Sequence, residues 1–312
     1  MSSPLKTVSI RLGGDLGEHI LGMRVLHFVR ERYPLHEIVV YSDSQAASTQ
    51  LDVVALSPVV SRVIPVFHSD PGNRGLETLR GEDLRLMLSS EQTFDIVGDD
   101  MFATASMMLD VPIFEILRRR PELVVPPDAM QEASRLLRSK RDAVFVGMNF
   151  ANCGADVLKA FEPRLTFVLQ TLLDLPHVVI LNVFASRPES RHRQEPLWGQ
   201  SSIEEHTALA RLSALSDRVL SCVDLSIPVA TALLTRCRYF IGLNTGIKHL
   251  AWALGVPHSF FQREKPTLLA ALRGMPDLHR MLLPDCPERE LNAHLAEAAR
   301  AVLSTARAVE NI

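Results

Sequence analysis

The chain contains 312 residues, of which 47% are hydrophobic, 22% charged and 6% aromatic. At roughly 100–200 residues per domain, this length favours two globular domains, and the apolar content excludes a disordered or collagen-like chain. The formal net charge of -3 excludes a global electrostatic attraction to nucleic acid or to an anionic membrane. Any recognition of phosphate must therefore be local.

The cysteine pattern and the N-terminus bear on the cellular compartment. The 4 cysteines show no metal-ligand spacing, so a structural zinc site is not expected. The first residues lack the basic-then-apolar pattern of a secretory signal, and no stretch approaches the roughly 18 to 20 apolar residues that span a bilayer. These features predict a cytoplasmic protein. They leave open whether it contacts the inner membrane face peripherally, and they leave its oligomeric state open.

In the first part of the chain, short β-branched runs alternate with helical patterns. This alternation is typical of right-handed βαβ units around a parallel sheet. The predicted elements are strand Thr7–Leu12, helix Gly17–Arg32, strand Glu37–Tyr41, strand Val63–Val66, helix Glu82–Glu91, strand Asp95–Val97 and helix Ile113–Arg119. Three prolines between Pro121 and Pro127 disfavour a helix or a central strand, so we place the domain boundary after residue 127.

A second α/β series follows this boundary. Its predicted elements are helix Ala129–Ser139, strand Ala143–Met148, helix Arg164–Leu173, strand Val178–Val183, helix Ile203–Leu215, strand Val219–Ser221, helix Ile227–Thr235, strand Tyr239–Leu243, helix Ile247–Leu254 and the amphipathic helix Glu288–Ala308. Residues 186–202 show no periodicity and form either a lid or an insertion. Two doubly wound α/β domains would face a cleft and bind ligands there, at the carboxyl ends of their strands.

The first predicted strand leads into a glycine turn, Gly13-Gly14-Asp15, directly before a helix. Glycines permit close backbone approach, and a helix N-terminus offers unpaired N–H groups to an anion. Asp15 opposes phosphate binding there and is better suited to accept a proton from a hydroxyl nucleophile, although Asp is equally a preferred helix N-cap. Asp43, at the end of the second strand, leaves an NAD-dependent Rossmann oxidoreductase open as an alternative.

A second polar turn, Asn244-Thr245-Gly246, joins a strand to the next helix in the second half. Thr245 can donate a hydroxyl hydrogen bond and Lys248 lies in the first helical turn, so that both can converge with helix N–H groups on a diphosphate. The alternative is a capped core helix with Lys248 in water. His249 by itself is more typical of a hydrogen-bonded structural histidine than of a catalyst.

These turns resemble those of glycosyltransferase family 9, the heptosyltransferases. The resemblance rests on Gly14-Asp15 with the helix that reaches Tyr33-Pro34, on Phe94–Asp99, on Asp224–Ser226 with its following helix, and on the motif from Gly242 to Pro257. It implies a GT-B fold with an acceptor-binding domain at 1–127, a donor-binding domain at 128–287, and a helix at 288–312 that returns to the first domain.

The resemblance also implies an activity and the residues that carry it. Members are inverting, metal-independent enzymes that move a heptose or related sugar from an ADP-sugar to an acceptor hydroxyl, here of a lipopolysaccharide core or of a small molecule. No cofactor besides this nucleotide-sugar substrate is expected, and no nucleic acid partner. Asp15 would be the general base, with Gly13, Gly14 and Asp99 as further acceptor-side candidates. The donor-side candidates are Lys159, Asn244, Thr245, Gly246, Lys248 and His249.

Three features depart from the family pattern. Asn244 stands where the family usually has Asp, Asn149–Gly154 replaces a tryptophan-containing lysine motif, and the segment 186–202 is long and carries Trp198. Because the Asn244 departure removes a charge from the donor loop, a non-catalytic nucleotide-sugar-binding protein is a second alternative.

Overall fold

The structure is a computed structural model that describes residues 7–13, 16–43, 49–66, 84–88, 97–140, 142–149, 167–175, 177–185, 216–243, 245–261 and 279–282. The chain forms two compact units, Met1–Val124 and Val125–Ile312. The division between them falls within the proline-containing segment 121–127. The predicted helices Ile203–Leu215 and Glu288–Ala308 and the segment 186–202 lie outside the described residues.

The first unit contains a parallel four-stranded sheet. Its strands are β1 (Thr7–Leu12), β2 (Glu37–Asp43), β3 (Arg62–Val66) and β4 (Leu84–Leu88), in the spatial order β3-β2-β1-β4. Its helices are α1 (Leu16–Gly22), α2 (Arg24–Arg32), α3 (Thr49–Ala55), α4 (Val97–Leu109) and α5 (Ile113–Arg118). Consecutive residues Val8, Ser9 and Ile10 are all buried, so both faces of β1 are covered, as is typical of a parallel sheet.

Two predictions for the first unit are wrong. Strand β4 lies within the predicted helix Glu82–Glu91, and Val97, the predicted end of a strand, begins helix α4. Leucine and methionine favour helices locally, but pairing of Leu84–Leu88 with β1 determines the conformation of this segment. The single helix predicted over Gly17–Arg32 is divided at Met23 into α1 and α2, next to a glycine that weakens a helix.

The second unit contains a parallel six-stranded sheet. Its strands are β5 (Val144–Asn149), β6 (Val178–Ala185), β7 (Val219–Leu225), β8 (Cys237–Leu243), β9 (His258–Phe261) and β10 (His279–Leu282). Its described helices are α6 (Pro127–Leu136), α7 (167–173), α8 (Ile227–Leu234) and α9 (Gly246–Ala253), with a short 3₁₀ turn at Arg138–Lys140. The sequence did not predict α3, β9 or β10. Within the described ranges, no helix is long and apolar enough to cross a membrane.

Prolines mark the starts of two helices in this unit. Pro127 is the first residue of α6, which therefore begins before the predicted start at Ala129. Pro228 lies in the first turn of α8. Both positions suit proline, because the first N–H groups of a helix have no partner within the helix.

The strand order β10-β9-β8-β5-β6-β7 defines where a ligand would bind in the second unit. From β5 the chain adds β6 and β7 on one side, and it then crosses over to add β8, β9 and β10 on the other side. The topological switch point therefore lies between β5 and β8. Ligands of doubly wound sheets bind at the carboxyl ends of the two strands beside this point. Here these ends are Asn149 and Leu243.

Candidate functional site

The carboxyl ends of β5 and β8 are in close backbone contact. Asn149 lies opposite Gly242 in the register of these strands. A Cβ atom on Gly242 would lie 2.3 Å from the carbonyl oxygen of Asn149, far inside contact distance. The backbone at the end of β5 therefore requires a glycine at position 242. This gives a packing role to Gly242, the first residue of the segment 242–257, which we call the donor-type motif.

The side chain of Asn149 is buried at this edge, with 2% of its surface exposed. Its Nδ2 donates a hydrogen bond to the carbonyl oxygen of Val183 on β6, at 2.7 Å. Its Oδ1 is buried and accepts no hydrogen bond from any described group. Strand alternation places this side chain on the sheet face of Gly147, where a Cβ would contact Leu234 of α8. Asn149 therefore presents one fixed, unused acceptor at the switch point.

Helix α9 begins directly after β8, with Thr245 as its N-cap residue. Thr245 has an extended backbone (φ -128°, ψ 166°), and its carbonyl oxygen accepts the Lys248 N–H at 3.1 Å. Its Oγ1 is buried and makes no hydrogen bond to the described part of the chain, so the hydroxyl does not cap the helix. This hydroxyl and the first N–H groups of α9 are donors that suit an anion.

Lys248 lies in the first turn of α9 and is only 3% exposed, so the alternative of a lysine in water is wrong. Burial removes hydration from the ammonium, and the N-terminal end of a helix carries partial positive charge. Both effects disfavour a cation here unless negative charge lies nearby. Lys248 and the half-buried His249 each interact with other groups of the protein.

The last residues of the donor-type motif terminate α9. Gly255 adopts a left-handed backbone conformation, with φ of 78°. Its N–H donates to the carbonyl of Trp252 at 2.9 Å, and the N–H of Val256 donates to the carbonyl of Ala251 at 3.0 Å. These two bonds are the Schellman pattern, and Pro257 follows it. Gly255-Val256-Pro257 therefore ends the helix and starts the connection to β9.

The glycine turn of the first unit is only partly described. Gly13 is buried after β1, and α1 begins directly beyond Gly14 and Asp15, which lie outside the described residues. The fully buried His19 of α1 shares a hydrogen bond with Ser42 at the end of β2, with 2.8 Å between Nε2 and Oγ. This pair holds α1, the helix that follows Asp15, against β2.

The structure places the remaining predicted residues as follows. Asp99 lies in the first turn of α4 rather than after a strand. Lys159 and Asn244 lie outside the described residues. Gly246 is the first residue of α9. In the sequence, Asn149 is only the first residue of a divergent segment. Its position as the polar end of the apolar run Val144–Met148 is the signal that identifies it.

Two buried cysteines of the second sheet do not carry chemistry. Burial raises the pKa of Cys222 to about 11 and holds that of Cys237 well above its usual range, so both thiols are protonated at neutral pH. Among the described residues, no group of three or more His, Cys, Asp or Glu side chains is placed to hold a metal ion. The expectation of a metal-independent enzyme stays a prediction.

A pocket of about 290 Å³ lies at the opposite, amino-terminal edge of the second sheet. Its lining residues are Ser139, Lys140, Asp142, Ala143, His177, Val179 and Arg218. The Arg218 guanidinium donates to the carbonyl oxygens of Leu173 and Leu175, and Lys140 pairs with Asp217 at 3.6 Å. These cations stabilise the end of α7 and the neighbouring turn, so we assign the pocket a structural role.

The segment around α9 matches a known family. Residues 194–272 match the model of "Glycosyltransferase family 9 (heptosyltransferase)". This segment contains β7, α8, β8, α9 and β9, and with them Thr245 and Lys248. No curated protein matches the chain in sequence.

Solved structures with a similar fold align with most of the chain. The ADP-heptose LPS heptosyltransferase II of E. coli has a TM-score of 0.61 at 12% identity, with 96% of this chain and 99% of that chain covered. The family 9 glycosyl transferase of Veillonella parvula has a TM-score of 0.59 at 12% identity, with 91% and 87% covered. The E. coli heptosyltransferase WaaC with ADP-2-deoxy-2-fluoro heptose has a TM-score of 0.59 at 11% identity, with 94% and 99% covered.

Identities this low show the fold alone, and the fold is that of the GT-B glycosyltransferases, with α/β units around parallel sheets as expected from the sequence. Neither the family segment nor these structures supports the NAD-dependent oxidoreductase. The match of residues 194–272 to the family model confirms the resemblance to family 9 for that segment. The chain thus has the fold of the heptosyltransferases and contains a segment that matches the family 9 model.

Proposed function

We propose that the protein transfers a heptose or related sugar from an ADP-sugar to an acceptor hydroxyl, with inversion and without a metal ion. The observation that carries this proposal is the start of α9. There the Thr245 hydroxyl, which has no partner within the described part of the chain, and the buried Lys248 accompany the helix N-terminus. These groups lie within the family 9 segment. They match the charge and hydrogen-bonding needs of a diphosphate.

On the donor side, the protein must stabilise the charge that develops on the departing ADP. In our proposal, the Thr245 hydroxyl and the first N–H groups of α9 donate to the diphosphate oxygens, and the Lys248 ammonium neutralises part of their charge. Lys159 is the second lysine assigned to the diphosphate. Asn244 and His249 are assigned to the sugar, and together with Gly246 they complete the donor-binding set.

On the acceptor side, inverting transfer needs one base. We assign this role to Asp15, whose carboxylate accepts the proton as the acceptor oxygen bonds to the anomeric carbon and the bond to the diphosphate oxygen breaks. Gly13, Gly14 and Asp99 are assigned to the acceptor side. The first unit would accordingly bind the acceptor and the second unit the donor. Both a lipopolysaccharide core and a small molecule can supply the acceptor hydroxyl that this reaction requires. A nucleotide-sugar donor fits a cytoplasmic location.

A ligand series tests the donor class. We expect ADP and ADP-heptose to raise the melting temperature more than UDP, GDP or NADH do at equal concentration, because only a ligand that binds the folded state stabilises it. A ligand at 100 times its Kd contributes about 2.7 kcal/mol. Differential scanning fluorimetry measures the shift. A larger shift with a UDP- or GDP-sugar would reject the ADP donor, and a larger shift with NADH would favour the oxidoreductase.

Lys248 provides a test of the diphosphate site. We expect Lys248→Met to raise the Kd for ADP about 10- to 100-fold, since a charge-assisted hydrogen bond contributes roughly 1.5–3 kcal/mol. Isothermal titration calorimetry measures the affinity. Lys140→Met is the matched control, because Lys140 lies at the opposite edge of the same sheet. If Lys248→Met alters the unfolding free energy but leaves the affinity for ADP unchanged, Lys248 has a structural role only.

A further inference from the structure

We propose that Asn149 recognises the transferred sugar, by accepting a hydrogen bond from a sugar hydroxyl at its Oδ1. This inference rests on the proposed function, because it requires an ADP-sugar at the start of α9. Asn149 is not part of the donor-type motif that contains Thr245 and Lys248. It would be a specificity-determining residue of the second unit.

The hydrogen bond of Nδ2 to Val183 determines what Asn149 can bind. With Nδ2 donating to a strand carbonyl at 2.7 Å, the amide is fixed in one orientation, in which Oδ1 has no partner among the described residues. A carbonyl oxygen accepts hydrogen bonds and cannot bind a phosphate oxygen, which is also an acceptor. The partner of Oδ1 must therefore carry an O–H or N–H group.

The unused acceptor is not explained by packing. A buried polar atom without a partner destabilises the folded state, and native proteins seldom retain one without a reason. Among the described residues, Asn149 Oδ1 and Thr245 Oγ1 are such atoms near this edge, as are both polar side-chain atoms of Asn182 on β6. Asn149 ends a strand whose other residues are Val144–Met148, so an apolar side chain would fit the local pattern better.

Asn149 Oδ1 and Thr245 Oγ1 have complementary chemistry and share one end of the sheet. Asn149 lies opposite Gly242, and Thr245 follows Gly242 closely in the chain. The Thr245 hydroxyl can donate to a phosphate oxygen, whereas Asn149 Oδ1 can accept from a hydroxyl. A glycosyl diphosphate carries both kinds of group side by side, because its 2-hydroxyl is on the carbon next to the anomeric carbon. The ribose hydroxyls are separated from the diphosphate by the 5′-methylene group and the ring.

Binding measurements on two variants test this assignment. We expect Asn149→Ala to weaken the binding of ADP-heptose about 5-fold relative to that of ADP, the effect of one neutral hydrogen bond. Thr245→Val is the matched control, because it removes a donor to the diphosphate and should weaken both ligands by the same factor. Equal weakening of both ligands by Asn149→Ala, or no weakening of either, would overturn the inference.

A second measurement keeps the inference testable if Asn149→Ala does not fold. Wild-type protein should bind ADP-2-deoxyheptose about 5-fold more weakly than ADP-heptose. If Asn149→Ala does fold, it should bind these two ligands equally. Equal affinities in the wild type would overturn the role of Asn149 while leaving the ADP site intact. Failure of wild-type protein to bind ADP at all would instead reject the proposed function, and this inference with it.

Discussion

Replacement of Asp15 by asparagine is expected to lower kcat by about 10²- to 10⁴-fold, the usual contribution of a general base, with little change in the Kd for ADP. Asparagine has nearly the same shape as aspartate but cannot accept the proton of the acceptor hydroxyl. It is also as good a helix N-cap as aspartate, so the start of α1 is preserved. This substitution therefore separates the two roles that the sequence leaves open for Asp15, base and cap.

The measurement is the rate of ADP release from ADP-heptose with an acceptor hydroxyl present, together with the Kd for ADP. Asp43→Asn is the matched control, because Asp43 ends the neighbouring strand β2 and its replacement removes the same charge. We expect Asp43→Asn to leave kcat nearly unchanged. Full turnover by Asp15→Asn would show that Asp15 is not the base. Slow hydrolysis of ADP-heptose by the wild type that disappears in Asp15→Asn would reject the non-catalytic alternative.

The parts of the fold that could be predicted are those in which local pattern and tertiary environment agree. Strand β1 was predicted with its correct bounds, since its β-branched residues both favour extended backbone and fill a buried position. Strand β4 was missed because its leucines and methionine favour a helix in isolation, and only pairing with β1 makes the segment extended. Strands β9 and β10 have four residues each, too few for a recognisable period.

The same distinction holds for the candidate site. Thr245 and Lys248 were found because a glycine-containing turn before a helix is a signal confined to a few adjacent residues. The importance of Asn149 depends on its pairing with Gly242, and the register of two strands far apart in the chain is a tertiary property. The hydrogen bond between His19 and Ser42 likewise joins residues from different elements. The burial of Lys248 also depends on the residues that pack around α9. The local sequence does not identify those residues, so the exposure of Lys248 could not be predicted.

Replacement of Gly242 by alanine is expected to destabilise the protein by about 3 kcal/mol, at the upper end of the usual cost of overpacking. The new Cβ would lie 2.3 Å from the carbonyl oxygen of Asn149, and the carbon and nitrogen of that residue would both be 3.2 Å away. Because these atoms belong to the backbone, no side-chain rotation can relieve the clash. The ends of β5 and β8 must separate, so the affinity for ADP-heptose should fall as well. The midpoint of urea unfolding and calorimetry measure the two effects.

Gly147→Ala is the matched control for this prediction. Gly147 lies in β5, the strand that pairs with the strand of Gly242, but the three atoms nearest to its new Cβ all belong to side chains, the closest being Phe240 Cδ2 at 3.0 Å and Cys237 Sγ at 3.2 Å. Side chains can shift, so we expect a loss of about 1 kcal/mol and an unchanged affinity for ADP-heptose. If Gly242→Ala is no less stable than Gly147→Ala, the ends of β5 and β8 are not in contact. The assignment of the donor site to the switch point would then lose its main structural support.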